Sequence, residues 1–303
     1  MAIALSLPSL GLAETLASIR IARRSPDDHA WAGARDALER TKRPGDVVVV
    51  APRWAEPHAR AALGDAFFPI EATARADETR VLRVLELGAL AARSPDHVGW
   101  PEREEHALPD GLTLRVLENP RPVVVVADLL AFAARGEMHV ARVVAGQRYP
   151  CLYTEQARVV APGLFGHPAL PARRFVCGDD ASGVAVTVQD DESFRPRRCL
   201  FVPTPDGGSI SVQFSGLPLG RVLRGHGGVF WTQQREQKGA AVELTFRLDG
   251  TLLGTVRHRE GDGFVPFELP LGARAHTTAS LEVDIRAVDG SARPFCFEAD
   301  TRE

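Results

Sequence analysis

The sequence predicts a two-domain protein of mixed class, in which a small layered α/β domain is followed by an antiparallel, jelly-roll-like β-sandwich. Three observations lead to this prediction. The chain has 303 residues, which is more than one typical domain needs. Helical periodicity alternates with strand-like runs up to about residue 135, and short alternating runs separated by Gly and Pro replace it afterwards. We therefore expect the α/β domain over 1–135 and the sandwich over 136–303.

The predicted α/β domain combines helical spacing with buried strand-like runs. Positions 27–40 place apolar residues at helical intervals, with Asp27 or Asp28 as the capping residue. The β-branched run 47–51 follows a Pro-Gly turn signal and is typical of a strand buried on both faces. The run 123–127 has the same character, which predicts a second buried strand in this domain.

Two segments of this half are less regular. Positions 80–87 fit either a strand or a helix. Positions 93–109 are rich in Pro, Glu and His, so we expect an exposed loop there.

The predicted sandwich is clearest at 242–248, where apolar and polar residues alternate strictly. Asp249 and Gly250 follow at once and form a strong hairpin signal, with 252–258 as the return strand. Similar short strands are predicted at 181–188, 199–202, 209–214, 264–269, 281–288 and 295–299. Strands at this spacing, with turn signals between them, predict two stacked antiparallel sheets.

The last 90 or so residues resemble the galactose-binding-like jelly rolls. The resemblance lies in FWTQQ at 230–234, the hairpin at 242–258, GFVPFELPL at 263–271 and LEVDIRAV at 281–288. It implies a non-catalytic module of the kind found beside bacterial enzymes and in envelope proteins. Such modules often bind a sugar at a loop-rimmed face and often hold a structural calcium ion.

The first half shows a second, fainter resemblance, carried by RPGDVVVVAP at 43–52 and RVLRVLEL at 80–87. These segments are similar to the soluble extracytoplasmic regions attached to bacterial membrane glycosyltransferases that use lipid-linked sugars. The multi-span catalytic region of those enzymes is absent. The resemblance therefore implies a soluble relative or a fragment without that activity.

Composition and missing motifs exclude several classes of protein. The 36 basic residues are balanced by 39 acidic ones, so we expect no nucleic-acid partner. No apolar run reaches the length of a membrane span, and the apolar segment 1–16 fits a first amphipathic helix or the end of a membrane anchor. Membrane association would thus need an anchor that is not present in this chain. Dinucleotide-binding, hydrolase-elbow and zinc-protease motifs are all missing.

The best candidate ligand-binding residues surround a short aromatic segment. They are Trp231, Gln233, Gln234, Arg235 and His226. An aromatic ring beside amide and guanidinium groups suits a sugar, whose ring has an apolar face and a hydroxyl edge. Gly225, Gly227 and Gly228 predict a loop that opens a groove there. Alternatively, Trp231 fills the sandwich core.

Acidic residues on both sides of one predicted strand suggest a calcium site. Asp179 and Asp180 precede the strand, and Asp190 and Asp191 follow it. Calcium takes six to eight oxygen ligands, which two such loops could supply. The spacing does not match a helix–loop–helix calcium motif. The alternative is that these are polar turn residues, and no other cofactor is expected.

The four cysteines allow two interpretations. Four cysteines allow three disulfide connectivities, and Cys199 and Cys296 both lie in strand-like runs that could belong to one sheet and lie close in space. Alternatively, all four are buried free thiols. Disulfides would favour an extracytoplasmic or membrane-associated location, and free thiols a cytoplasmic one.

Together these observations predict a non-catalytic bacterial envelope-associated or secreted protein whose sandwich binds carbohydrate or a protein partner. Two alternatives stay open. One is a glycan-processing enzyme with its site where the two domains meet, and the other is a structural or assembly subunit.

Overall fold

The computed structural model describes residues 11, 12, 14–16, 26–162, 168–178, 183–237 and 239–303. Most of the segment 1–16, for which an amphipathic helix was predicted, lies outside these residues. The chain divides into two compact units. The N-terminal unit is Met1–Thr73 with Glu78–Pro122, and the C-terminal unit is Ala74–Asp77 with Val123–Glu303. None of the helices in the described part of the chain has the length and apolar character needed to cross a membrane.

The N-terminal unit contains a four-stranded sheet with short helices. Its elements are helices α1 Asp28–Gly33, α2 Arg35–Thr41, α3 Glu56–Leu63 and α4 Ile70–Thr73, and strands β1 Val47–Ala51, β2 Arg83–Gly88, β3 Glu102–Ala107 and β4 Thr113–Glu118. The sheet order is β1-β2-β4-β3, in which only β1 and β2 are parallel. Asp27 caps α1 by accepting a hydrogen bond from the Ala30 amide, because an N-cap carboxylate satisfies an otherwise unpaired N–H.

Strand β3 corrects the prediction of an exposed loop over 93–109. Its six residues are all exposed and polar or small, so no alternation of apolar residues marks it as a strand. It pairs with β4 at the edge of the sheet, and backbone hydrogen bonding rather than side-chain burial defines it. The ambiguous segment 80–87 contributes all but the last residue of β2, a strand that is buried along its whole length.

The C-terminal unit holds two antiparallel sheets. Its strands are β5 Val125–Asp128, β6 His139–Val144, β7 Gln147–Thr154, β8 Arg174–Val176, β9 Ala185–Asp190, β10 Pro196–Thr204, β11 Gly208–Pro218, β12 Val222–Gly228, β13 Val242–Leu248, β14 Thr251–His258, β15 Val265–Pro270, β16 Thr278–Ala287 and β17 Arg293–Arg302, and its helices are α5 Leu129–Ala134 and α6 Trp231–Glu236. One sheet has the order β15-β12-β17-β10-β9, with β5 also paired to β17. The other has the order β14-β13-β16-β11-β6-β7-β8.

The two sheets share one apolar core, which confirms the predicted β-sandwich. Phe214, Phe246 and Ile285 come from the seven-stranded sheet, and Leu200 and Phe297 come from the six-stranded sheet. All five are fully or almost fully buried. Burial of this much apolar surface is the main stabilising contribution to such a fold.

The hairpin predicted at 242–258 is confirmed. Along β13 the residues alternate between buried and half-buried, as their sequence pattern predicts. Asp249 and Gly250 both have left-handed backbone angles, which a two-residue hairpin turn of this kind requires.

Two predictions about strands are wrong. The apolar run 123–127 contributes β5, but this strand pairs with β17 in the C-terminal unit and not with the N-terminal sheet. Gly225 and Gly227 lie within strand β12 instead of in an open loop. A Cβ atom on Gly225 would lie 2.5 Å from the Phe267 ring, so glycine is needed here for close packing.

Both cysteine pairs form disulfides. Cys199 in β10 and Cys296 in β17 lie on adjacent antiparallel strands, with their Cα atoms 5.6 Å apart. Cys151 in β7 bonds to Cys177, just after β8. The structure thus selects the disulfide interpretation over the four free thiols.

Candidate ligand-binding surface

Two aromatic rings and a guanidinium group form an aromatic platform on the C-terminal unit, defined here as Phe194, Trp231 and Arg235. The centroids of the Phe194 and Trp231 rings lie 5.2 Å apart. The Arg235 guanidinium carbon lies 5.1 Å from each ring centroid. Phe194 is 54% exposed, Trp231 is half-buried and Arg235 is exposed. The platform therefore combines an accessible aromatic surface with a guanidinium hydrogen-bond donor that lies over both rings.

The turn that presents Phe194 is held by Asp191. One carboxylate oxygen of Asp191 accepts hydrogen bonds from the amides of Ser193 and Arg195, at 2.8 and 2.9 Å. The other oxygen accepts from Arg197 at 2.9 Å. Phe194 has a φ of 55°, which is rare for a bulky residue and costs free energy. The network around Asp191 stabilises this conformation and so keeps the Phe194 ring in solvent.

Helix α6, which carries Trp231 and Arg235, is held by Gln234. Its side-chain oxygen accepts from the amides of Gly261 and Gly263 at 2.7 and 3.2 Å. Its amide nitrogen donates to the Gly263 carbonyl at 3.1 Å and also lies 3.2 Å from His258 Nε2. Gln234 is 2% exposed, so its amide supports the fold of the surface and does not reach a ligand.

His258 completes this support as a neutral ring. Burial lowers the pKa of His258 to about 4, because the imidazolium form loses its hydration. Near pH 7 the neutral ring can accept a hydrogen bond from the Gln234 amide through Nε2. The ring also packs against Phe295, with 5.4 Å between the centroids.

The other two residues predicted to bind a ligand have different environments. Gln233 is half-buried on α6, and its side-chain oxygen is buried without a hydrogen-bond partner among the described residues. His226 is buried on β12, where its Nδ1 lies 2.7 Å from Glu298 and its ring stacks on Phe264. Of the five predicted residues, the structure brings Trp231 and Arg235 together at the surface, and Gln234 lies beneath them.

The predicted calcium ligands are not brought together in the described part of the chain. Asp179 and Asp180 lie outside the described residues. Asp190 is the last residue of β9, and the Asp191 carboxylate is occupied by its own turn and by Arg197. Among the described residues there is no group of three or more His, Cys, Asp or Glu side chains that could hold a metal ion. Asp191 is therefore a polar turn residue, which was the alternative prediction for it.

Sequence reasoning missed Phe194. It lies in the polar stretch Asp190–Arg195, where turn signals predict only a connection between strands. A single large apolar residue within such a turn is the signal that could have drawn attention to it. Its partner Trp231 is distant in sequence, so their contact depends on the folded sandwich.

Comparisons with known proteins find carbohydrate-binding modules among the solved structures that align with this chain, all at low similarity. No family model matches the sequence, and no curated protein matches it. A solved structure of ZmpB from Clostridium perfringens, containing its M60 catalytic domain and two family 51 carbohydrate-binding modules, is 9% identical, with a TM-score of 0.30 over 64% of this chain and 21% of that one. The N-terminal cellulose-binding domain of β-1,4-glucanase C from Cellulomonas fimi is 11% identical, with a TM-score of 0.23 over 35% of this chain and 77% of that one.

A family 36 carbohydrate-binding module, solved with calcium and xylotriose, is 10% identical, with a TM-score of 0.23 over 50% of this chain and 98% of that one. The alignments with three ZmpB structures span only 21%, 40% and 46% of those chains. The N-terminal resemblance to glycosyltransferase-attached regions stays a prediction.

Proposed function

We propose that this protein is a non-catalytic, bacterial envelope-associated or secreted protein whose C-terminal sandwich binds carbohydrate at the aromatic platform. The observation that carries the proposal is the contact between two accessible rings, exposed Phe194 and half-buried Trp231, with the Arg235 guanidinium over both. A pyranose ring has an apolar C–H face and a rim of hydroxyl groups. The two rings would cover the apolar face, and Arg235 would donate hydrogen bonds to the hydroxyls.

The support beneath the platform favours a binding role. Asp191 fixes the turn of Phe194, and Gln234 fixes the helix of Trp231, through hydrogen bonds that do not involve the exposed groups. A surface that is ordered before its ligand arrives loses less conformational entropy on binding. A small loss of conformational entropy on binding favours weak, repeated contacts with a glycan chain.

The two disulfides support an extracytoplasmic location. Disulfides persist in oxidising compartments and are rare in the reducing cytosol. A glycan-binding surface is also most useful outside the cell, where polysaccharides are abundant. The same platform could contact a protein, and the experiment below separates the two partners.

The test is a glycan array probed with the full chain, followed by calorimetric titration of the strongest glycan. We expect Trp231→Ala and Phe194→Ala each to weaken binding at least tenfold, since each removes half of the stacking surface. Trp54→Ala is the matched control: Trp54 is as exposed as Phe194 but lies in the N-terminal unit. Absence of binding to every glycan, or equal loss in the Trp54 variant, would contradict the proposal.

A further inference from the structure

A second surface of the C-terminal unit has the form of a small polar hollow. It lies at one end of the seven-stranded sheet, where Ser209, Asp284 and Arg286 line it together with the turn residues Gly146 and Gly290. Its volume is about 430 Å³, within the range of small-molecule sites. None of its lining residues belongs to the aromatic platform.

The side chains of the hollow stand on the outer face of the sheet. Ile210 and Val212 of β11 point into the apolar core, so Ser209 and Ser211 point outward. On β16 the core residues Val283 and Ile285 alternate with Asp284 and Arg286 in the same way. Because side chains alternate between the two faces of a strand, these polar groups all lie on the outer face of the sheet and form the floor of the hollow.

Charge pairing distinguishes Asp284 from its neighbours. Glu282 accepts from Arg148 at 2.8 Å, and Glu243 accepts from Arg286 at 2.7 Å. Asp284 lies between them on the sheet and accepts from the Ser209 hydroxyl at 2.7 Å. Within the described residues it forms no ion pair, so the charge of this carboxylate at the hollow is not balanced by a cation as the charges of Glu282 and Glu243 are.

The lining selects the chemical class of ligand. A bound calcium ion needs six to eight oxygens, and the Arg286 guanidinium in the same wall would repel it. An anion gains little here, because Glu243 already balances the charge of Arg286 and the Asp284 carboxylate would repel the anion. A neutral polyhydroxyl ligand fits both groups, because a carboxylate accepts from sugar hydroxyls while a guanidinium donates to them. The exposed Val288 side chain adds an apolar wall for a C–H face.

From these observations we infer that the hollow around Asp284 is a second carbohydrate site, which takes a single neutral pyranose unit in a cleft. It is separate from the platform, and it extends the proposed function from one sugar-binding surface to two. The platform offers stacking, whereas this hollow offers hydrogen bonds to the hydroxyl edge. Two unlike sites on one sandwich would let the protein hold two parts of a glycan, with a gain from effective concentration.

The experiment uses the full chain carrying Trp231→Ala, so that the platform does not contribute. The methyl pyranosides of glucose, galactose, mannose, xylose and N-acetylglucosamine are titrated while the amide resonances of Gly146, Gly207 and Gly290 are followed by NMR. We expect saturable shifts with at least one glycoside. Asp284→Asn should weaken that binding at least tenfold, and it preserves an acceptor for Ser209, so the sheet should stay folded.

Asp289→Asn is the matched control, because this exposed carboxylate lies near the hollow but bonds to Ser291 and does not line it. It should leave the affinity unchanged. The inference is overturned if no glycoside shifts these amides, if Asp284→Asn binds as tightly as its parent, or if calcium chloride alone gives the saturable shifts. Failure of the platform proposal has a different signature: Trp231→Ala in the otherwise unaltered chain would then leave glycan-array binding intact.

Discussion

His258 is a buried side chain that helps to hold the helix of the aromatic platform in place. Its ring lies beneath helix α6 and contacts the Gln234 amide that anchors this helix. Because it is neutral when folded, the ring can accept that hydrogen bond without an unpaired buried charge. The position of Trp231 and Arg235 therefore depends on a buried residue that does not reach the surface of the platform.

The protonation of His258 predicts a pH-dependent stability. Its pKa is about 4 in the folded chain and near 6.5 when unfolded. Between these pH values the unfolded chain binds a proton that the folded chain does not. The contribution of neutral His258 to the free energy of unfolding is therefore complete above pH 6.5 and is lost as the pH falls to 4. The loss is on the order of 3 kcal/mol. Urea denaturation at several pH values in this window measures it.

His258→Gln should flatten this part of the stability profile, since the titrating group is gone. His139→Gln provides the control, because His139 is exposed on β6 of the same unit and should leave the profile unaltered. An unchanged slope in the His258 variant would show that other groups cause the pH dependence.

At the scale of elements, the β9–β10 turn and helix α6 bring together Phe194 and Trp231, which are far apart in the chain. The turn depends on a single carboxylate, and the helix depends on a single amide. Both supports are side-chain to backbone hydrogen bonds, which stabilise irregular segments that have no ladder of their own. The aromatic platform is thus formed by one turn and one short helix, which both belong to the C-terminal sandwich.

Asp191→Ala should disturb the β9–β10 turn. Two backbone amides and Arg197 lose their acceptor, and we expect a destabilisation of about 2 kcal/mol. Without this network the Phe194 backbone should leave its left-handed conformation, so glycan affinity should fall at least tenfold. Asp190→Asn is the control at the adjacent position. Calorimetric titration and thermal denaturation measure the two effects, and full retention of affinity would contradict the role given to this turn.

At the scale of the whole molecule, the two disulfides cross-link the C-terminal unit over different lengths of chain. The Cys151–Cys177 bond closes a separation of 26 residues, and the Cys199–Cys296 bond closes one of 97. The chain-entropy model assigns them about 3.5 and about 4.7 kcal/mol. The second bond also ties β10 to β17 in the centre of the six-stranded sheet.

Replacing each pair by alanine tests this order. We expect the Cys199→Ala/Cys296→Ala protein to have a lower free energy of unfolding than the Cys151→Ala/Cys177→Ala protein. Urea denaturation of both variants gives the comparison. Thiol titration of the denatured, unreduced parent should find no free thiol, and four reactive thiols in protein from its native host would remove the support for an extracytoplasmic location.

Much of the sandwich could be predicted from local patterns. The alternation at 242–248 and the Asp249–Gly250 turn are properties of adjacent residues, and the structure has a strand and a hairpin at those positions. The exposed strand β3 escaped prediction for the complementary reason, since a strand with no buried face shows no apolar period. Trp231 and Arg235 were predicted from their chemistry to bind a ligand, which stays a prediction, whereas Phe194 was not singled out.

By itself, the amino-acid sequence determined the hairpin at 242–258 and the approximate positions of several other strands in the C-terminal half, because side-chain period and turn propensity act over a few residues. The tertiary structure alone decided that β5 pairs with β17, that Gln234 is buried while its neighbour Arg235 is exposed, and that Phe194 meets Trp231. These outcomes depend on contacts between segments far apart in the chain. Such contacts form only when the whole sandwich closes around a common core, and no local preference encodes them.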